Sequence, residues 1–348
     1  IEIGMEDGLV KVVSPIEGSP AFRAGIKSGD YITHINGRLI YGGTLDEAVT
    51  QMRGKPGTSI KLTIVRPGRD KPFDVALIRE KIDLKPVKWQ VKDNVGIINI
   101  NGFSAKTGDY TRAAVFGITK SLGRRPDGYI VDLRSNPGGI LGEAIAVSDV
   151  FLDHGEVVSE RGRERGDIQR FYAKPGDDTK GAPVIVLVDS GSASASEIVA
   201  GALQDQHRAR IMGERSFGKG SVQSVVPLAN GTGLKLTTSR YSTPSGRSIQ
   251  EGGIQPDVRV PQISDPDYQT KPKFRESDLA RHLVNEIKPD DKAIEEDSKA
   301  DPRFAMSAEE LKKKGIDDFQ LHYAVQTISR LGGKPLQIAQ TKKTVARK

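Results

Sequence analysis

The chain has 348 residues, 36% of them hydrophobic and 28% charged, which is ordinary for a water-exposed globular protein of two or three domains. It has no cysteine, which excludes disulfides, thiolate metal sites and a cysteine nucleophile, and suits an oxidising compartment. The formal net charge is +7, but it is thinly spread: residues 1–80 carry 11 basic and 10 acidic side chains, and 261–348 carry 17 and 15. Only 342–348 form a basic cluster, so nucleic-acid binding is not expected.

No stretch approaches the ~20 apolar residues of a membrane span. The first residue, Ile1, reads as the middle of a strand, which predicts a truncated or processed product whose signal segment is absent from this sequence.

Residues 1–80 read as a β-rich module. Leu9–Val13, Tyr31–Ile35 and Ser59–Val65 alternate as strands, with an Asn36-Gly37 turn after the second. Pro20–Ile26 reads as a short helix. Thr44 caps a second helix, Leu45–Met52, whose first turn holds Asp46 and Glu47. Residues 81–260 alternate apolar strands (95–100, 128–133, 183–188) with helices (107–122, 140–152, 197–206), a pattern that predicts a layered α/β fold. The polar stretch 161–180 reads as a surface hairpin or loop, and 234–238 as a late strand. Residues 261–348 are rich in Lys, Asp and Glu, with helices expected over 277–287, 308–314 and 318–331 and a solvated, mobile stretch near 290–301.

The chemistry concentrates in two segments. A buried strand ending at Asp189 runs into Ser192-Ala193-Ser194-Ala195-Ser196-Glu197 and then a helix. A hydroxyl on such a turn is exposed and lies near helix N–H groups. Phe217-Gly218-Lys219-Gly220-Ser221-Val222-Gln223 follows. A lysine between glycines approaches another chain segment closely and, when desolvated, loses its proton. Together these form a Ser–Lys nucleophile pair. Taken alone, Ser194-x-x-Glu197 favours a helix capping box, and Ser192 is a nearby candidate cap. Asp132 to Gly139, with Asn136-Pro137-Gly138-Gly139, follows a strand and opens a helix; its glycines can turn N–H groups toward an oxyanion, while the plain reading is a turn. The five histidines, His34, His154, His207, His282 and His322, sit in no nucleophile-like context, and none has metal-site spacing to a carboxylate.

These motifs, in this order, resemble the carboxyl-terminal processing peptidases, the tail-specific proteases of serine peptidase family S41, over roughly residues 1 to 260. Tyr241–Gly246 and Gly253–Asp257 share the resemblance. Ser19-Pro20-Ala21 through Gly29-Asp30 and the Asn36-Gly37 turn resemble a PDZ domain, whose carboxylate-binding loop falls at or just before Ile1–Ile3. The resemblance implies a multidomain α/β protein. A PDZ domain (1–80) precedes a layered, ClpP/crotonase-like peptidase core (81–260) and a charged, partly helical C-terminal region (261–348).

It further implies Ser194 as nucleophile, Lys219 as general base and Gln223 as the amide orienting the lysine. Gly138 or Gly139, with Ala195, forms the oxyanion hole, and Asp205 is a supporting residue. No metal or other cofactor is implied. The expected partners are protein substrates with apolar C-terminal tails, and a homo-oligomer or regulatory partner is left open. The expected location is the periplasm or cell envelope of a bacterium. Two other readings stand beside this one: a non-catalytic PDZ-containing binding or scaffold protein, and an α/β enzyme acting on an acyl thioester.

Overall fold

Alternating apolar residues build the first sheet: Ile60, Leu62 and Ile64 are buried while their neighbours face outward. The computed structural model describes all residues except 7, 16–18, 28, 83–84, 165, 229–231, 269, 271–274, 280–281, 286–300 and 333–348. Two compact units divide the chain, one of residues 1–84 and one from Lys85 onward.

The first unit runs β1 (Glu2–Glu6), β2 (Leu9–Ser14), α1 (Pro20–Arg23), β3 (Tyr31–Ile35), β4 (Arg38–Leu39), α2 (Leu45–Met52), β5 (Ser59–Val65) and β6 (Phe73–Ile78). Its strands pair antiparallel in the order β1-β2-β3-β5-β6, with β4 on β3, so β1 is an edge. Asn36 and Gly37 both have positive φ, as a tight β3–β4 hairpin requires. Thr44 and Glu47 form a reciprocal capping box at the start of α2: Glu47 N–H donates to Thr44 Oγ1 (3.2 Å), and Thr44 N–H donates to Glu47 Oε2 (2.9 Å). Helix α1 stops earlier than the expected Ile26. Gly25 takes a φ of +74°, and Ile26 N–H turns back to the Ala21 carbonyl.

The second unit continues with β7 (Val87–Lys92), β8 (Val95–Ile100), α3 (Thr107–Leu122), β9 (Gly128–Asp132), α4 (Leu141–Phe151), β10 (Glu156–Arg161), β11 (Ile168–Tyr172), β12 (Val184–Val188), α5 (Ala195–Asp205), β13 (Arg210–Gly213), β14 (Ser221–Pro227), β15 (Gly233–Ser242) and β16 (Val258–Arg259). Helices α6 (Ala308–Lys313) and α7 (Phe319–Leu331) close it. The central sheet has the order β16-β13-β12-β9-β8-β7 and is parallel except for β7. Strands β9 and β12 are buried throughout, as a sheet covered on both faces demands. A second, antiparallel sheet has the order β11-β10-β15-β14. The polar stretch 161–180 thus contributes an edge strand, β11, to this sheet.

One face of the central sheet packs on α3, α4 and α5. The opposite face is covered by α7, whose Ala324, Val325 and Ile328 meet Val95, Ile97, Ile130, Ile185 and Leu187. Burying each such valine or isoleucine is worth about 1.5–3 kcal/mol. The charged C-terminal region therefore supplies part of the core. Its expected helix over 277–287 is not formed where described: Glu276–Asp278 is a single 3-10 turn, and 282–285 belong to no helix. The stretch 290–300 and the basic cluster 342–348 lie outside the described residues.

Candidate active site

Three loops leave the carboxyl ends of adjacent parallel strands: 133–139 after β9, 189–194 after β12, and 214–220 after β13. Such ends are where open α/β sheets gather ligand-binding groups.

The loop after β12 is a strained elbow. Ser194 has φ 54° and ψ −110°, a conformation costing a non-glycine residue about 1–3 kcal/mol. It is half-buried, whereas Ser192 and Ser196 are fully buried. Ser192 Oγ donates to the Leu133 carbonyl (2.8 Å) and accepts from Asp189 N–H (2.9 Å), and Ser196 Oγ donates to the Asn136 carbonyl (2.9 Å). Ser192 therefore ties the elbow to β9 and caps no helix. The residue at the cap of α5 is Ser194 itself.

The loop after β9 packs against this elbow. Asn136, fully buried, donates from Nδ2 to the Ile100 carbonyl (2.7 Å), accepts Gly138 N–H at Oδ1 (2.9 Å), and offers its own carbonyl to Ala193 N–H (3.0 Å). Gly138 has φ +99°, and a Cβ there would stand 2.9 Å from the Ser194 Cβ. Gly139 has φ +147° and lies along Phe103; its neighbours bond Phe103 through the Gly138 carbonyl and Ile140 N–H. The Gly139 and Ala195 N–H groups donate to no other described residue, unlike that of Gly138.

Glu197 joins the elbow to the lysine loop. It is fully buried, and its carboxylate accepts four hydrogen bonds. Oε2 takes Ser194 N–H (2.7 Å) and Lys219 N–H (2.9 Å); Oε1 takes Ser216 Oγ–H (2.6 Å) and Gly218 N–H (2.6 Å). Burial pushes its carboxyl up to about 7, against the pull of the donors from Ser216, Gly218, Ser194 and Lys219. The Ser-x-x-Glu spacing was legible as a capping box, but its link to a segment 22 residues away was not.

Lys219 is half-buried, and its amine makes no hydrogen bond or ion pair with any described residue, Ser194 and Gln223 included. Gln223 is exposed on β14, which begins only at Ser221. Asp205 lies at the far end of α5, about 16 Å along the helix from Ser194. It accepts Ser245 N–H (2.9 Å) and pairs with Arg247 (2.6 Å). Burial would raise its carboxyl, but hydrogen bonds from Thr243 and Ser245 and the Arg247 charge hold it below the usual range. His207 is exposed beyond that same helix end, remote from Ser194. The histidine tied to the lysine loop is instead His282. It pairs with Glu251 (2.7 Å), whose N–H donates to the Gly218 carbonyl (2.8 Å).

A further ion network backs the β9 turn. Arg134 bonds both Asp132 (2.7 Å) and Asp318 (2.7 Å), the cap of α7, and also reaches Gln320 (3.1 Å).

A β-rich unit followed by an α/β core with a strained serine elbow and adjacent backbone N–H donors is the architecture of a serine hydrolase carrying a peptide-binding module. Among protein families, residues 94–260 match Peptidase family S41 and residues 11–66 match the PDZ domain. The chain is 49% identical over 292 residues to the "Carboxy-terminal-processing protease" of Bartonella bacilliformis, covering 83% of this chain and 67% of that protein. It is 40% identical over 271 residues to a "Probable CtpA-like serine protease" of Staphylococcus aureus, covering 77% of this chain and 53% of the relative. A solved S41 protease structure from Bacteroides fragilis shares the fold, with TM-score 0.52 and 20% identity over 72% of this chain and 71% of that one. The chain belongs to peptidase family S41, with a PDZ domain ahead of the peptidase core. It spans about two thirds of the Bartonella relative and about half of the staphylococcal ones.

Proposed function

We propose that this serine protease is an endopeptidase working through a Ser194–Lys219 dyad and selecting proteins by their C-terminal tails. The observation that carries the reading is the single Glu197 oxygen shared by the Ser194 and Lys219 N–H groups, which holds nucleophile and base loops side by side. A neutral Lys219 amine takes the Ser194 proton as Oγ attacks the scissile carbonyl carbon. Charge develops on the carbonyl oxygen, where Gly139 and Ala195 N–H stabilise it. Gly139 is favoured over Gly138 because the Gly138 N–H is already engaged by Asn136. Lysine then returns the proton to the leaving amine, and water repeats the sequence on the acyl-enzyme. Gln223, exposed on β14 four residues beyond Lys219, is the amide assigned to orient the amine once substrate is bound. Asp205 acts through the 243–247 turn and not as a base.

Substrate tails with apolar ends add as a strand to the β1 edge of the PDZ sheet. The location proposed with this activity is the periplasm or cell envelope of a bacterium, an oxidising setting that a cysteine-free chain suits. The test is labelling with a small fluorophosphonate, followed by mass spectrometry of cut sites in a protein carrying an apolar tail. Ser194→Ala should lose both signals while its unfolding free energy stays within about 2 kcal/mol of wild type, the upper cost of changing a cap residue. Labelling at the wild-type level in that variant would move the nucleophile elsewhere, and no labelling of the unmodified chain would favour the scaffold reading.

A further inference from the structure

The backbone around Lys219 is gripped from two sides, and the proposed dyad uses only one of them. Glu197 holds Gly218 and Lys219 N–H from the elbow side. On the other side runs Gln250-Glu251. Glu251 N–H donates to the Gly218 carbonyl (2.8 Å), and Gly220 N–H donates to Gln250 Oε1 (3.0 Å). The approach is close enough to need both flanking glycines: a Cβ on Gly218 would lie 2.9 Å from the Glu251 backbone, and one on Gly220 would lie 2.5 Å from Gln250 N.

Gln250 is fully buried, and its other amide atom is also committed. Nε2 donates to the Leu283 carbonyl (2.7 Å) and faces Glu276 Oε1 (3.4 Å). Two other residues of this region reach the lysine loop and Gln250: Glu276 N–H donates to the Phe217 carbonyl (3.1 Å), and Asn285 Nδ2 donates to the Gln250 carbonyl (2.8 Å). An amide whose donor end is fixed has a fixed acceptor end. The Leu283 carbonyl accepts only, so it dictates that oxygen, not nitrogen, faces Gly220.

We infer that Gln250 is a positioning residue for the Lys219 loop, oriented by the C-terminal segment around Leu283. This rests on Lys219 being the base. The segment beyond the S41-matched region thereby contributes to the alignment of the dyad. Loss of the Gly220 bond frees one end of a three-residue loop, and displacements near 1 Å in such a group cost about 100-fold in rate.

The experiment follows fluorophosphonate labelling of the full chain for wild type, Gln250→Leu, Gln250→Met and Gln250→Glu, reading both the rate and the end-point stoichiometry. The end point counts folded sites; the rate reports alignment. The leucine variant should label about 10- to 100-fold more slowly with an undiminished end point. Gln250→Glu keeps an acceptor for Gly220 N–H but sets carboxylate oxygen against the Leu283 carbonyl and the Glu276 carboxylate, so with its orientation lost it should label slowly as well. Gln250→Met, closer to glutamine in shape, carries the comparison if the leucine variant does not fold. Wild-type rates in the apolar variants or in the glutamate variant would overturn the inference. So would a reduced end point at unchanged rate, which is plain loss of folded protein. Lys219→Ala is run in parallel. If it labels at the wild-type rate, the base assignment fails. If it is silent while Gln250→Leu is unimpaired, only the role of Gln250 fails.

Discussion

Replacing Glu197 by glutamine separates what this residue does for stability from what it does for the site. All four of its partners are donors: Ser194 N–H and Lys219 N–H on Oε2, Ser216 Oγ–H and Gly218 N–H on Oε1. A carboxylate accepts from all of them, whereas an amide offers one oxygen and turns an NH2 toward the other pair. Two hydrogen bonds to a charged acceptor are lost, each worth about 1.5–3 kcal/mol. The variant is also relieved of a buried charge. The carboxyl moves from its ordinary 4.5 to about 7 on burial, so the anion costs about 3 kcal/mol at pH 8. That cost is already net of the four donors, so removing the charge together with two of the bonds should change unfolding at pH 8 by no more than about 3 kcal/mol in either direction. Activity should fall much further, about 100-fold in kcat, because whichever way the amide settles, one pair of loop contacts opens.

The pH dependence follows with opposite signs. The folded-state value lies above the unfolded one, so the folded protein binds this proton more tightly. The contribution of Glu197 to stability is greatest below pH 4.5, declines as pH rises toward 7, and is constant above. Activity runs the other way, falling as pH drops through about 7, because a protonated carboxyl must spend one oxygen as a donor among donors. The assay is a kcat–pH profile beside chemical denaturation at pH 5, 6, 7 and 8 for both proteins. Wild-type kcat in Glu197→Gln at pH 8, or an unchanged inflection near 7 in that variant, would refute the reasoning.

Lys219→Arg should be as inactive in single-turnover labelling as Lys219→Ala, because a guanidinium stays protonated and cannot act as a base; substantial turnover in the arginine variant would remove the base role. A chain lacking residues 1–80 should keep Ser194 reactive to a small probe while losing selectivity among peptides differing only at their last residues. Loss of probe labelling in a folded core would contradict that division. Asp318→Ala leaves Arg134 with Asp132 and Gln320, removes the Gln262 bond and the cap of α7, and should lower stability by about 2 kcal/mol, read as a shifted denaturation midpoint; an unmoved midpoint would show that Asp318 contributes nothing net.

What the amino-acid order disclosed depended on the range of the forces involved. Local rules delivered α2 and α3 to the residue, since the Thr44 cap and the glycine at 123 are written next to the segments they end. Fully apolar runs marked β8, β9 and β12. The edge strand β7 carries alternating or polar residues whose pairing is set by neighbours distant in sequence and went unread, as did the sheet to which β11 belongs; β1 was anticipated only as a strand running through Ile1. The helix expected over 277–287 failed for a related reason. Hydrogen bonds from Glu276, Gln250 and Asn285 to other segments draw that stretch across the lysine loop instead. At the site, the Ser194, Gly139 and Lys219 motifs were visible because each is a short local pattern. Glu197, Asn136 and Gln250 bind across 19 to 60 residues or anchor such contacts, which no spacing rule encodes. Cap and nucleophile also looked like rivals for Ser194, yet the glutamate that bonds the Ser194 amide is the one that brings the lysine loop alongside.

The clasp between Arg134 and Asp318 spans 184 positions, and the helix it starts lays Ala324, Val325 and Ile328 over strands completed long before. A ribosome making this chain releases the serine elbow and the lysine loop well ahead of that helix. Until residues 318–331 emerge, one face of the central sheet is bare and Arg134 has only Asp132 to bind. The sheet that carries the serine elbow and the lysine loop is therefore covered on both faces only once the chain has been made through residue 331, so the packing behind the β9 turn is among the last of these contacts to be completed.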